Sequence, residues 1–196
     1  MAKAQLSLTQ RVDELREAQL EAQLTLTHGV DRLTESIGVL GDQVRGVMTD
    51  VGRLKQSDLE RRYRERAYAY FSRLVRRAHV LSGDELAALL DAAVTQGQLA
   101  EDEADDLLQA DVVVRGRRRE DSTEVYLVVE VSWGVGLSDV QRASERAALL
   151  ARTGILTLPV VAGFWVTPEA QEPARALQVW QVTDGRVAPP GPTQHS

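Results

Sequence analysis

A chain of 196 residues is long enough for one compact domain with an appendage, or for two small domains. Its 43% hydrophobic and 27% charged residues exclude wholesale disorder, and the absence of cysteine excludes a disulfide scaffold, a thiolate nucleophile and any Cys-ligated zinc or iron–sulfur centre. With 23 basic and 29 acidic residues the net charge is −6, so bulk charge draws the protein toward neither nucleic acid nor an anionic membrane.

His28, His79 and His195 lie in different segments, which argues against a histidine metal cluster. The basic residues are lopsided: Lys3 and Lys55 are the only lysines, and all others are arginine. No run of about 18 apolar residues occurs, and no charged start precedes an apolar stretch with a cleavage site. A soluble cytoplasmic protein without membrane partners is expected.

From Val30 onward, Val30, Leu33, Ile37, Leu40, Val44, Val47, Val51 and Leu54 alternate steps of three and four, a heptad seam. Leu8, Val12, Leu15, Ala22 and Leu26 carry it backward, with a stutter at Ala22, Leu26 and Val30. One helix over residues 5–56 follows, roughly 75 Å long at about 1.5 Å per residue. β-branched residues at a and mostly leucine at d favour a parallel homodimer, with Asp50 and Lys55 placed to pair across it. Packing of this helix back on its own domain is the alternative.

Beyond Leu54 the seam ends at Asp58 and Arg61, and a wider face of Tyr63, Ala67, Tyr70, Phe71, Leu74, Val75 and Ala78 predicts a core-packing helix. His79–Leu81 reads as a short strand. Ser82 and Glu85 form a capping box that opens a helix to about Val94, and an acidic helix follows Gly97. Strands over Asp111–Arg115 and Glu124–Trp133 are nearly continuous apolar runs, as in strands covered on both faces. A helix from Ser138 to about Arg152, a strand over Leu156–Val166, a Pro168-initiated helix and a hairpin turning at Asp184-Gly185 complete an α/β layer fold.

One constellation points to chemistry. Asp111 opens a buried strand, and Glu130 stands inside the apolar run Leu127-Val128-Val129-Glu130-Val131. A carboxylate there is costly unless it is paired, hydrogen-bonded or coordinating a cation. Two carboxylates on neighbouring strands would suit a hard divalent ion. On Asp111-Val112-Val113-Val114, Glu130-Val131-Ser132, the leading helix and the following helix and strand, residues 57–166 resemble the PD-(D/E)XK nuclease superfamily. The whole chain is similar to bacterial proteins that join an N-terminal coiled coil to this fold.

The resemblance implies a restriction-endonuclease-like core, a mixed central sheet flanked by helices, in residues 57–187 after the coiled-coil helix 1–56, with a loose tail at 188–196. It implies catalytic positions at Asp111, Glu130 and Ser132, with Gln141 or Arg142 from the next helix contacting phosphate. Glu60, Asp111 and Glu130 would hold Mg²⁺ or Mn²⁺. On a helical wheel Glu60 falls inside the apolar arc and Glu65 outside it; the plainer reading of Glu60 is a salt bridge to a neighbouring arginine.

Ser132 departs from the pattern, because resembled nucleases carry a lysine there, and no lysine follows position 55. Arginine stays protonated and cannot serve as a general base. Arg62, Arg66, Arg73 and Arg77 share a narrow helix stripe, and Arg117, Arg118 and Arg119 crowd the hairpin with Arg115; both groups would track a nucleic-acid backbone or simply pair with the acidic helix. Two functions follow: a coiled-coil dimer whose nuclease-like domains act as a metal-dependent DNA endonuclease or phosphodiesterase, or as a DNA-binding protein, and alternatively a catalytically inactive nuclease-fold scaffold or binding protein whose main role is oligomerisation.

Overall fold

The computed structural model describes residues 2–191, and two compact units divide the chain, 1–52 and 53–196. In the first, helix α1 (Ala2–Glu65) runs through the heptad region. Its seam is open to solvent: Val30, Leu33, Ile37, Leu40, Val44, Val47 and Val51 are 41–68% exposed. No helix among the described residues is long and apolar enough to cross a membrane.

In the second unit α1 ends and a single-turn α2 (Ala67–Tyr70) precedes strand β1 (Val75–Val80). The helix expected through Ala78 is therefore interrupted. The amides of Leu74 and Val75 return to the Phe71 carbonyl and turn the chain. Tyr63, Ala67, Phe71, Leu74 and Val75 all enter one core, so the apolar pattern is correct while the backbone beneath it changes from helix to strand. Val75 is held in the sheet by close approach to Gly116, where a Cβ would stand 2.8 Å from the valine. Arg62, Arg66, Arg73 and Arg77 consequently do not share one helix surface: Arg73 lies in the turn and Arg77 in β1.

The remaining elements are α3 (Gly83–Thr95), α4 (Glu101–Leu108), β2 (Val112–Arg118), β3 (Glu124–Val135), α5 (Leu137–Ala151), β4 (Thr157–Val166), α6 (Pro168–Ala176), β5 (Trp180–Thr183) and β6 (Arg186–Ala188). The Ser82–Glu85 capping box forms as expected. At the Asp184-Gly185 turn both residues take positive φ, 46° and 74°, the mirror-image turn that suits a two-residue hairpin. Ala188 belongs to β6, so the expected tail begins later, and its residues 192–196 lie outside the described residues.

The six strands form one mixed sheet in chain order. β1, β2 and β3 are an antiparallel meander, β4 joins β3 in parallel through α5, β5 joins β4 in parallel through α6, and β6 closes antiparallel. The pleat sorts β3 between two layers. Leu127, Val129 and Val131 meet Leu59, Tyr63 and Phe71 on one face, while Tyr126 and Val128 meet α3, α4 and the end of α5 on the other. Burial on both faces explains the near-continuous apolar run, and Glu130 is its one charged member.

Candidate functional site

Glu130 shares the pleat side of Val128, and that side is roofed by α5. Only 2% of the residue is exposed. Its Oε1 accepts from Arg146 Nη1 at 2.7 Å and its Oε2 from Arg142 Nε at 3.0 Å, so two guanidiniums one helical turn apart grip one carboxylate. The remaining donors of Arg146 reach Asp106 of α4 at 2.8 Å and the Gln109 carbonyl at 3.1 Å. Arg142 also binds Asp139, whose second oxygen accepts the Gly136 amide at 2.8 Å and caps α5. Burial opposes charge on both arginines, but their carboxylate partners outweigh it and hold both above the ordinary arginine value. Among the described residues no buried side-chain polar atom lacks a partner.

Asp111 stands immediately before β2. Its Oδ2 accepts the Val131 amide at 2.7 Å, one residue beyond Glu130, which brings the two acidic residues to one end of the β2–β3 ladder. Burial pushes the Asp111 carboxyl up to about 6, with further upward pressure from the negative charges of Glu130 and Glu60; the Val131 amide and Arg142 act in opposition.

Glu60 reaches this end from α1. Its Oε1 accepts from Gln56 Nε2 at 2.7 Å, and the same amide group donates to the Val131 carbonyl at 2.6 Å. Tyr63, one turn on, fixes the helix by donating to the Gly163 carbonyl at 3.2 Å. The partner of Glu60 is thus a glutamine on its own helix, whereas Glu65 pairs with Arg61 in solvent. Arg64 Nε donates to the Asp111 carbonyl at 2.8 Å beside a cleft of about 320 Å³ lined also by Leu81, Ser82, Leu86 and Leu108.

Ser132 donates its hydroxyl to the Gly134 carbonyl at 3.1 Å. Gln141 is exposed on α5 and makes no side-chain hydrogen bond among the described residues. Trp133, 40% exposed, packs against Phe164 with ring centroids 4.2 Å apart, and Lys55 Nζ lies 5.5 Å from its centroid. The earlier-placed lysine therefore sits on Trp133, whose pleat side is opposite to that of Ser132.

The hairpin arginines are at the other end of the sheet, Arg117 being about 20 Å from Asp111 at about 3.3 Å per residue. Arg118 pairs with Asp121, Arg117 donates to the Ser122 carbonyl and Arg119 to the Ser72 carbonyl. Arg62, Arg66, Arg73 and Arg77 are exposed without an ion pair among the described residues.

The donor set does not fit a divalent cation as it stands. Both oxygens of Glu130 are occupied by guanidinium, and among the described residues no group of three or more His, Asp or Glu side chains is arranged to share an ion. Sequence reasoning did not find Arg146, Asp106, Asp139 or Gln56. A signal for Arg146 existed: at 100° per residue it falls about 40° from Leu150, at the margin of the α5 face that buries Val140, Ala143, Ala147 and Leu150. An arginine beside an apolar helix face and a glutamate in an apolar strand are two misfits that satisfy each other. No family model matches the chain, and neither a curated protein nor a solved structure matches it.

Proposed function

We propose that this chain is a coiled-coil homodimer carrying a restriction-endonuclease-like domain that binds without cleaving. The antiparallel meander β1–β3, the crossover helix α5 and the parallel β4 support the fold assignment. The observation that carries the functional reading is the double guanidinium grip on Glu130, in a domain with Ser132 where the resembled nucleases place lysine. A carboxylate gripped in this way holds α5 to the sheet, and neither of its oxygens is free for a cation.

Support for the dimer comes from the open seam of α1, whose residues from Val30 to Val51 are exposed. Within the second unit, the last seam residue, Leu54, is 70% exposed and lies about 180° round the helix from buried Tyr63. The rival reading, a Mg²⁺- or Mn²⁺-dependent deoxyribonuclease, draws on the raised carboxyl of Asp111 beside Glu130 and Glu60.

Incubation of wild type and Asp111→Ala with single- and double-stranded DNA in Mg²⁺ or Mn²⁺ separates the two. No cleavage by either protein is expected; cleavage by wild type that disappears in the variant establishes the nuclease. Sedimentation equilibrium of Ile37→Asp should show monomer where wild type is a dimer.

A further inference from the structure

The cleft of about 320 Å³ beside Asp111 is formed where three parts of the second unit meet: α1 supplies Arg64, the junction of β1 with α3 supplies Leu81 and Leu86, and the junction of α4 with β2 supplies Leu108, Asp111 and Val113. Arg64 and Asp111 are the only charged side chains in its lining. Most of the remaining wall is aliphatic: Leu86 and Val113 are buried, and Leu108 is 40% exposed, with apolar surface left to cover.

The two charges are held without neutralising each other. Arg64 Nε donates to the main-chain carbonyl of Asp111 at 2.8 Å, while Asp111 Oδ2 accepts the Val131 amide at 2.7 Å. Each side chain thus spends one polar atom on the backbone. Among the described residues no ion pair joins the guanidinium to the carboxylate, and neither the Nη nitrogens of Arg64 nor Oδ1 of Asp111 has a hydrogen-bond partner. The acidic neighbours of Asp111 are committed elsewhere, Glu60 to Gln56 and Glu130 to Arg142 and Arg146. Ser82, also in the lining, is spent on the Glu85 capping box. One cation with donors to spare, one anion with an acceptor to spare and an aliphatic wall remain, each charge anchored before any ligand arrives.

We infer that this cleft binds a free α-amino acid with an apolar side chain, Arg64 taking its carboxylate, Asp111 its ammonium, and Leu81, Leu86, Leu108 and Val113 its side chain. A zwitterion answers both charges at once. A monocarboxylate sets a like charge beside Asp111, and an amine leaves Arg64 unanswered. At roughly 30 Å³ per water the cleft equals about ten waters, at the small end of the roughly 300–1,000 Å³ of small-molecule sites, which suits one amino acid and not a peptide or a nucleotide. The site goes beyond the binding role proposed above and depends on neither the dimer nor the absence of cleavage.

Isothermal titration of the full chain in EDTA with L-leucine, isocaproate, isoamylamine and glycine tests it, the last three lacking the ammonium, the carboxylate and the side chain in turn. L-Leucine should bind saturably, and each truncated probe at least about tenfold more weakly. Arg64→Gln, an exposed change expected to leave Tm within about 2 °C, should weaken leucine to the level of isoamylamine and leave isoamylamine itself unchanged. Asp111→Asn, which keeps an acceptor for the Val131 amide, should weaken leucine to the level of isocaproate and bind isocaproate no less tightly than wild type does. The variants act on opposite ends of the ligand, so either one tests the site if the other fails to fold.

No binding of L-leucine up to about 10 mM overturns the inference. Isocaproate, isoamylamine or glycine binding as tightly as leucine overturns it too, because one of the three recognition elements is then idle. Leucine affinity unchanged in a folded Arg64→Gln or Asp111→Asn chain places the ligand elsewhere and has the same force.

Discussion

Arg146→Met is the sharpest perturbation of the buried ion-pair network. Methionine has the length to fill much of the space but supplies none of the hydrogen bonds that join Arg146 to Glu130, Asp106 and the Gln109 carbonyl. Asp106, half-exposed, recovers its hydration, but Glu130 does not, because it is 2% exposed and retains only Arg142. Breaking a buried pair from one side costs about 3–5 kcal/mol, whereas replacing both partners with apolar residues is near neutral. The double variant Glu130→Leu/Arg146→Met should therefore recover at least about 2 kcal/mol of the single variant's loss.

Urea unfolding followed by tryptophan fluorescence, at one fixed protein concentration because the proposed dimer would make stability depend on it, measures both. With m about 2 kcal/mol/M the single variant's midpoint should fall by about 2 M. A loss below about 1 kcal/mol for Arg146→Met, or a double variant no more stable than the single one, refutes the assignment of the network as the clamp between α5 and the sheet.

Asp111 supplies a pH test with a definite sign. Its carboxyl titrates near 6 in the folded chain, above the roughly 3.9 of an unfolded aspartate, so the folded state binds the proton more tightly. The cost of its charge is present above pH 6 and is relieved as pH falls toward about 4. Asp111→Asn, which keeps an acceptor for the Val131 amide, should be more stable than wild type at pH 7.5 and lose that advantage near pH 4.5; a Tm difference independent of pH contradicts the burial argument. Gly163 lies opposite Ser132 in the β3–β4 ladder, and a Cβ there would collide with the Ser132 carbonyl oxygen. Gly163→Ala should cost about 3 kcal/mol, read as a Tm drop of several degrees, and a variant as stable as wild type shows that the ladder yields.

Local chemistry made much of this protein legible. The seam from Val30 to Leu54 needs only a period, the Ser82–Glu85 box only a spacing of three, and the Asp184-Gly185 turn only two residues that tolerate positive φ. Glu130 announced itself as a charge inside an apolar strand. Periodicity failed after Glu65 because burial, not backbone, is what an apolar pattern records: Phe71, Leu74 and Val75 occupy the same core that a continued helix would have filled.

Tertiary structure decided what answers the Glu130 charge. A cation and an arginine satisfy the same electrostatic need, and the sequence contains candidates for both. The choice depends on α5 crossing β3 so that Arg142 and Arg146, one turn apart, meet the two oxygens of Glu130. The arginine-rich hairpin was equally ambiguous until the antiparallel register put it about 20 Å from Asp111 along the strand and set Arg76 across from Arg117. Composition determined that basic chemistry here is arginine chemistry; strand pairing and helix crossing determined which arginines neutralise the interior and which remain at the surface.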